Sequence, residues 1–449
     1  MSFTDVYFIF LFLPLFLIAY FFCPRKFRQY LILAGSLLFY WFAVSSRPAL
    51  ILLPVAEILI VYLAARILPR LPSSRRLIVL IVSVLLFETL LLFKYLGLFT
   101  GKSILLPAGL SFYTFQLTAY LYDVSRAAVE PETNILTFSS GILFFPKLLS
   151  GPITPWREIR PQLDAPKTNI TCLDRGLRTF ITGMGLKVLV ADRVGGLWNQ
   201  ASAVGLGDIS TGLAWLAALA FSLQLYFDFY GYSLMAIGIG QMLGFRLPVN
   251  FRHPYESRSM TDFWRRWHVT LGAWFRDYLY IPLGGNRVDT LRLYRNLLIV
   301  WLCTGIWHGS TWNFILWGLF LFVVIALEKL LKIDKNRNPL SYLYMIPATL
   351  VSWSIFACTD MKQLGGLLGR LFPLFSKSHA LIHGDWWIYG KSYIVYLIVG
   401  IVLAMPQPAA LFKRIKQTPI GTVILFLVFV FSVYCICGGL NDPFLYFNF

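Results

Sequence analysis

Charge is scarce in this 449-residue chain: 13% of its residues are Asp, Glu, Lys or Arg, roughly half of what a soluble domain carries. No polar stretch is long enough to fold as a separate water-soluble unit. Cysteine carries no pattern either. Cys23, Cys172, Cys303, Cys358, Cys435 and Cys437 show neither zinc-ligand nor disulfide spacing. Cys435 and Cys437 are two apart and so diverge on a helix. There is no Gly-x-Ser-x-Gly elbow, no Walker-type phosphate loop and no dinucleotide fingerprint, which argues against serine-hydrolase chemistry and against energy-coupled pumping by this chain alone. No inverted repeat of the transporter kind is visible.

What remains is apolar, at 58% of residues. Apolar runs recur at 6–22, 31–44, 50–63, 77–93, 297–301 with 314–327, 393–403 and 423–437. A helix crosses a bilayer core with ~20 apolar residues, fewer when basic or aromatic ends snorkel. The chain therefore reads as an all-α polytopic membrane protein. The first run begins almost at Met1 and lacks a small-residue cleavage site, so it is expected to be a retained span rather than a signal peptide. The net charge of +18 is concentrated between the runs, in Arg25-Lys26-Phe27-Arg28, 66–76, 329–337 and Lys413-Arg414-Ile415-Lys416. Cytoplasmic loops carry such a surplus, and an anionic inner leaflet attracts it; nucleic acid is not needed to explain it. Counting spans between these segments puts both termini outside.

One membrane domain, 1–449, is expected, with simple spans in 1–104 and 319–449 and a core in 105–318. The core differs in texture, because Gly, Pro and charge break its apolar runs: Pro107-Ala108-Gly109, Phe145-Pro146-Lys147 and Phe227-Asp228-Phe229-Tyr230-Gly231. Irregular backbone survives at membrane depth only where protein or a water-filled cavity covers it. Re-entrant or tilted helices around a central cavity, ringed by the terminal spans, are therefore expected.

Within the core, residues 264–276 crowd charges and aromatic rings together, and His308 follows His268 by 40 residues in Gly305-Ile306-Trp307-His308-Gly309. Ionisable groups at membrane depth are costly and are usually kept for a task. The spacing of Trp264, Trp267, His268, Leu271 and Phe275 predicts one amphipathic helix over 262–277; an interfacial helix with snorkelling arginines fits the same pattern. The loop Ile281-Pro282-Leu283-Gly284-Gly285-Asn286-Arg287 follows, and its backbone amides, with Arg287 and Arg292, could cradle phosphates. Among the five histidines, His379 and His383 lie in a polar loop beside Asp385 without an acid or cysteine cluster, so no metal site is expected. His253, before Pro254, reads as a turn residue. His308 is the candidate general base, since an imidazole titrates near the operating pH, although a packed structural histidine remains open. Asp228 is the notable acid in an aromatic run, and a hydrogen bond to a tyrosine or arginine would explain it equally well.

Asn250-Phe251-Arg252-His253-Pro254-Tyr255, Asp262-Phe263-Trp264-Arg265-Arg266-Trp267-His268, the run from Trp274 through Arg287, and Trp307-His308-Gly309 with Trp312-Asn313 together resemble the membrane-bound O-acyltransferases. The likeness covers most of the chain from Pro107 to about Gly318. The subgroup it resembles comprises bacterial membrane subunits that acetylate alginate, peptidoglycan or cellulose; a related branch transfers D-alanine toward teichoic acids. By this resemblance His308 matches the catalytic histidine and His268 a second, more variable polar position. The fold implied is a ring of spans around a tunnel joining both membrane faces, in the plasma or inner membrane. Acetyl-CoA is implied as a cytoplasmic donor, with no permanently bound cofactor. Arg276, Asn286 and Arg287 are candidates for its phosphates, and Trp267, Trp307, Asp228 and Asn313 for the substrate path. His268 would either hold the acceptor or donate to the oxyanion. An extracytoplasmic SGNH-type acetyltransferase is implied as partner. A transporter or channel using the same buried groups is the alternative from another class.

Four of the last six residues, Phe444 to Phe449, are aromatic, whereas chain termini are normally polar and frayed. An aromatic anchor at the outer interface explains this. The tail also resembles the tyrosine-bearing C-terminal motif of envelope acylation systems, which implies Tyr446 as an acyl carrier activated by His308. From Gly438 to Tyr446 the chain extends roughly 26 Å, enough to fold back from the outer face toward His308.

Overall fold

A computed structural model describes residues 1–101, 106–333, 338–373 and 382–445, and every regular element among them is a helix. Seven of these helices are long and apolar enough to cross a membrane: Pro48–Arg70, Arg75–Thr100, Thr211–Met242, Trp312–Leu330, Pro339–Ala357, Asp385–Ala404 and Pro419–Cys437. The polytopic all-α reading is thereby established. The helix Arg75–Thr100 shows why water is the wrong solvent. Val82, Leu86 and Leu90 are buried on one face, while Leu77, Leu80, Ile81 and Val84 are each more than half exposed on another. A helix that is apolar all round with only one face packed needs lipid on the other.

The chain forms two units. The first comprises Met1–Ile181 and Tyr232–Val249, the second Thr182–Gly231 and Asn250–Phe449. In the first, Phe12, just before the helix Leu13–Phe22, and Phe16 within it lie against Phe145, edge to face at 5.5 and 5.2 Å. The Tyr20 hydroxyl donates to the Leu243 carbonyl at 3.0 Å. The broken texture read from the sequence is real here. Ile135–Ile142, Phe145–Leu148 and Trp156–Asp164 are too short to span a bilayer, yet Phe144, Phe145 and Leu148 are fully buried.

In the second unit, Thr290–His308 and Trp312–Leu330 form a tight antiparallel hairpin, joined by three residues. Small residues set its closeness. A methyl group on Gly318 would lie 2.5 Å from the Trp301 carbonyl oxygen, and one on Gly305 would overlap the Phe314 carbonyl. Backbones this near depend on glycine, as in other membrane helix pairs. Gly305→Val is expected to lower stability by about 1–3 kcal/mol through overpacking, read as a fall in the thermal midpoint in detergent micelles; an unchanged midpoint would mean the helices have room to part.

Candidate active site

The helix expected over 262–277 is two helices. Met260–Arg266 ends at Trp267, His268 sits in the left-handed region at φ 42°, and Val269–Phe275 then begins, followed by a wider π-helical turn over Arg276–Tyr280. The three-and-four spacing holds within each half and could not reveal the break. It occurs where the irregular segment 250–252 bonds to the chain. There Arg252 N–H donates to the Arg266 carbonyl, and Val269 N–H to the Asn250 carbonyl, both at 2.9 Å, replacing helical bonds. Left-handed backbone in a non-glycine residue is uncommon, and His is among the residues that tolerate it. Glu328, at the far end of the hairpin, fixes the first helix. Its carboxylate accepts from Thr261 N–H at 2.9 Å, Thr261 Oγ1 at 2.8 Å, the Tyr344 hydroxyl at 3.0 Å and Met260 N–H, where a helix N-terminus favours negative charge.

The break aims His268. Its Nδ1 lies 2.9 Å from Asn250 Oδ1, which also accepts from Thr270 N–H at 3.3 Å and Thr270 Oγ1 at 3.0 Å. The Thr270 amide can only donate, so the Asn250 oxygen must face it, and Nδ1 of His268 must carry the proton. Nε2 then presents a lone pair, buried and without a hydrogen-bond partner among the described residues, as is the Asn250 Nδ2 donor. Unsatisfied buried groups of this kind need a reason. His268 lies outside the seven apolar spans, and burial pushes its pKa down to about 3, so the ring is neutral at working pH. Asn250→Ala would leave Nδ1–H and the Thr270 amide unpaired, and about 1–3 kcal/mol of stability should be lost; a native thermal midpoint in that variant would mean the hub is dispensable.

His308 is the last residue of its helix and is 5% exposed. Trp307, Trp317, Phe356 and Phe314 surround the imidazole, with ring centroids at 4.5, 5.0, 5.1 and 6.4 Å. Gly309 makes this box possible, since any side chain there would collide with the Phe314 ring. Asn313 closes it from outside. Its amide donates to the carbonyls of Ile355 at 3.1 Å and Phe356 at 2.9 Å, a structural tie rather than a surface offered to substrate. Trp317 meets Trp353 at 6.1 Å, and Trp353 meets Trp267 at 4.7 Å. The two histidines therefore belong to one continuous aromatic wall.

Asp228 is not paired as the sequence led one to expect. It faces Lys187 at 3.2 Å, and Lys187 also contacts Asp192; all three side chains are buried. The same groups grip the C-terminal segment. Lys187 Nζ donates to the Asp442 carbonyl at 2.7 Å, and Leu445 N–H donates to Asp228 Oδ2 at 2.9 Å. Arg193 donates to the Leu440 carbonyl. Phe444 lies 6.0 Å from Phe229, whose ring meets His268 edge to face at 4.7 Å. Tyr446 and His379 lie outside the described residues. Lys187 and Asp192 escaped the sequence reading; the available signal was a lone opposite-charge pair five residues apart between apolar neighbours.

Arg276, Asn286 and Arg287 are exposed, whereas both histidines are buried. The loop's amides do not form a free phosphate cradle, because Gly284, Gly285 and Arg287 donate to the carbonyls of Ile281, Tyr280 and Gly284. Tight turning in a double-glycine loop consumes its own donors, with φ at 103° and 59°. Arg276 is held by both Asp277 oxygens, at 2.7 and 3.1 Å, and Arg292 by Asp289 at 3.2 Å. Arg287 makes no ion pair among the described residues. Its loop folds back along the helix that His308 ends, since Asn296 Nδ2 donates to the Leu283 and Gly285 carbonyls at 3.1 and 3.3 Å, and Asn296 stands about 18 Å from His308 along that axis at 1.5 Å per residue.

Comparison with known proteins identifies the family. Residues 10–333 match the model of the MBOAT, membrane-bound O-acyltransferase family. The chain is 36% identical to a protein named probable alginate O-acetylase AlgI from Azotobacter vinelandii, over 90% of this chain and 83% of the relative. It is 30% identical to a peptidoglycan O-acetyltransferase of Helicobacter pylori, over 98% and 96% respectively. A teichoic acid D-alanyltransferase of Lacticaseibacillus rhamnosus is 29% identical over 60% of this chain and 71% of the relative. Both histidines, the rings of Trp267, Trp307, Phe314 and Trp317 and the arginine loop fall inside the matched segment, with Trp353 and Phe356 beyond its end, and the chain belongs to the membrane-bound O-acyltransferases, multi-pass membrane enzymes that transfer acyl groups to hydroxyls.

Proposed function

We propose that this enzyme carries acetyl groups from cytoplasmic acetyl-CoA across the plasma membrane for O-acetylation of an extracytoplasmic cell-envelope polysaccharide, with His308 as general base and Tyr446 as acyl carrier. The observation that carries this reading is the burial of His308 in its aromatic box at the tip of the hairpin, inside a segment that matches an acyltransferase family. Orientation follows from the same hairpin. Thr290 and Leu330, at the two ends away from the turn, share a side, so Arg287, Arg292 and Lys329 cluster there. Basic residues favour the cytoplasm, so this reading has the arginines inside and His308 toward the outside, and the basic segments between the spans argue for both chain termini outside.

The chemistry then has a direction. Arg287 and Arg276 hold the CoA phosphates on the cytoplasmic side by charge-assisted hydrogen bonds. His308 takes the phenolic proton of Tyr446 as the oxygen attacks the thioester carbonyl carbon. The C–S bond breaks, the thiolate leaves as CoA with the proton returned by the imidazolium, and an acetyl ester remains on the tyrosine. The tautomer supports one of the two roles open to His268: a lone pair on Nε2 accepts a hydroxyl hydrogen, so it holds the acceptor while the tail waits rather than donating to an oxyanion. An SGNH-type partner outside takes the acetyl group onto its serine, which regenerates the phenol, and passes it to the polymer. Trp267, Trp307 and Asp228 belong to the walls of the passage between the two faces.

The likeness to a teichoic acid D-alanyltransferase favours a second reading, in which the same site transfers D-alanine. Purified protein in vesicles separates the two. Labelled acetyl-CoA should release free CoA in a His308-dependent way and place label on the protein, with label reaching polymer only when the outer partner is added. Consumption of a D-alanyl thioester alone would support the second reading, and full polymer acetylation by the single chain would remove the partner.

A further inference from the structure

We propose that Lys187, Asp192 and Asp228 form a buried receptor for the chain's own C-terminal strap, and that these positioning residues set where the tail ends. The docking stands on its own geometry; its consequence for transfer rests on the reading of Tyr446 as carrier. The contacts are complementary in a way that ordinary core packing does not require. An ammonium group has three donors. Lys187 donates to Asp192 and to the Asp442 carbonyl, and its charge faces Asp228 Oδ1 at 3.2 Å. Asp228 in turn places one oxygen toward Lys187 and gives the other to Leu445 N–H. Without the strap, the buried ammonium would lose one of its two hydrogen-bond acceptors and the Asp228 carboxylate its hydrogen-bond donor, and such groups are paired in folded proteins. The strap is thus part of the receptor's own satisfaction.

Recognition is through backbone. Asp442 contributes its carbonyl and Leu445 its amide, while Arg193 adds a third main-chain contact at Leu440. Such a grip does not read the side chains of Asp442 and Leu445, and it fixes register through two main-chain groups three residues apart, one accepting from Lys187 and one donating to Asp228. Phe444, 3% exposed, sets that register further by packing on Phe229. Phe229 follows Asp228 in sequence and touches His268. One turn of the helix Thr211–Met242 therefore carries both the charged contact and the ring that join the strap to the histidine. The outcome is a strap whose Phe444 is separated from His268 by the single ring of Phe229, held there by charges that take no part in proton transfer.

Carboxypeptidase digestion of the full-length protein in detergent micelles, followed by mass spectrometry of the C-terminus, tests this. Asp228→Ala and Leu445→Pro, which remove the acceptor and the donor of one bond, should each speed loss of the terminal residues at least tenfold, with the thermal midpoint of Leu445→Pro near native. Lys187→Met should do the same, and Lys187→Arg, which keeps charge and donors, should restore much of the protection. Tyr446→Phe should remain as protected as the native chain. Native protection in Leu445→Pro and Asp228→Ala would overturn the receptor, as would equal exposure in Lys187→Arg and Lys187→Met. If protection is lost in Leu445→Pro while polymer acetylation with the partner continues at the native rate, the receptor stands and the carrier reading fails.

Discussion

Replacing His308 with alanine should lower acyl transfer by 10²–10⁴-fold, the range a positioned general base supplies, while the protein still inserts in the membrane. Alanine alone does not isolate the chemistry, because it empties a space between four rings, and cavities in a core weaken it. His308→Phe answers that objection. Phenylalanine refills the aromatic box without a nitrogen, so its thermal midpoint should lie near native and above that of alanine. Its activity should be as low. If the phenylalanine variant transfers acetyl at a substantial rate, His308 is a packing residue and the base is elsewhere. His268 would then be the first place to look, since its Nε2 is a buried lone pair held in a fixed tautomer.

The sequence made the helical membrane architecture legible because its signal is long-range in composition: runs such as 77–93 and 423–437 mean the same thing whatever they pack against. It located both histidines because imidazoles in apolar surroundings are conspicuous. It could not reveal the break at His268. Periodicity reports which residues share a face, whereas the break lies where main-chain bonds come in from 250–252, contributed from 15 or so residues earlier. The partner of Asp228 was invisible for a similar reason. Lys187 stands 41 positions away, and only the approach of Gly231 to the Gly183 carbonyl, where an added methyl would lie 2.5 Å off, brings the two helices near enough for the pair to meet. The loop at Gly284-Gly285 was read correctly as a turn and too generously as a cradle, since a turn this tight closes on its own amides. Asn313 was singled out for its place beside Trp312, yet the structure gives its amide to two carbonyls of the helix Tyr342–Ala357.

Tyr446→Phe should stop polymer acetylation while leaving the protein intact. The change removes one oxygen and keeps the ring, so an aromatic anchor would be unaffected by it. Docking of the strap should also survive, because the grip falls on the main chain at Leu440, Asp442 and Leu445, upstream of the substituted side chain. What is lost is the hydroxyl that the proposed transfer uses as its nucleophile. A covalent carrier divides a transfer across the membrane into two transfers at its two faces, which lets a thioester remain on the inside and a polymer on the outside. If the phenol is that carrier, native protein incubated with labelled acetyl-CoA in the absence of the outer partner should acquire label that neutral hydroxylamine releases, as an aryl ester requires. The phenylalanine variant should acquire none, and its CoA release should fall to the slow rate of attack by water. His308→Phe should likewise stay unlabelled, although its tail still carries the hydroxyl, since a phenol with a pKa near 10 is a weak nucleophile at neutral pH without a base. Two unlabelled variants, one lacking the oxygen and one lacking the base, would tie the residues to a single step. Acetylation of polymer at the native rate by Tyr446→Phe would leave the tail as an anchor and require the acceptor hydroxyl itself to reach His308.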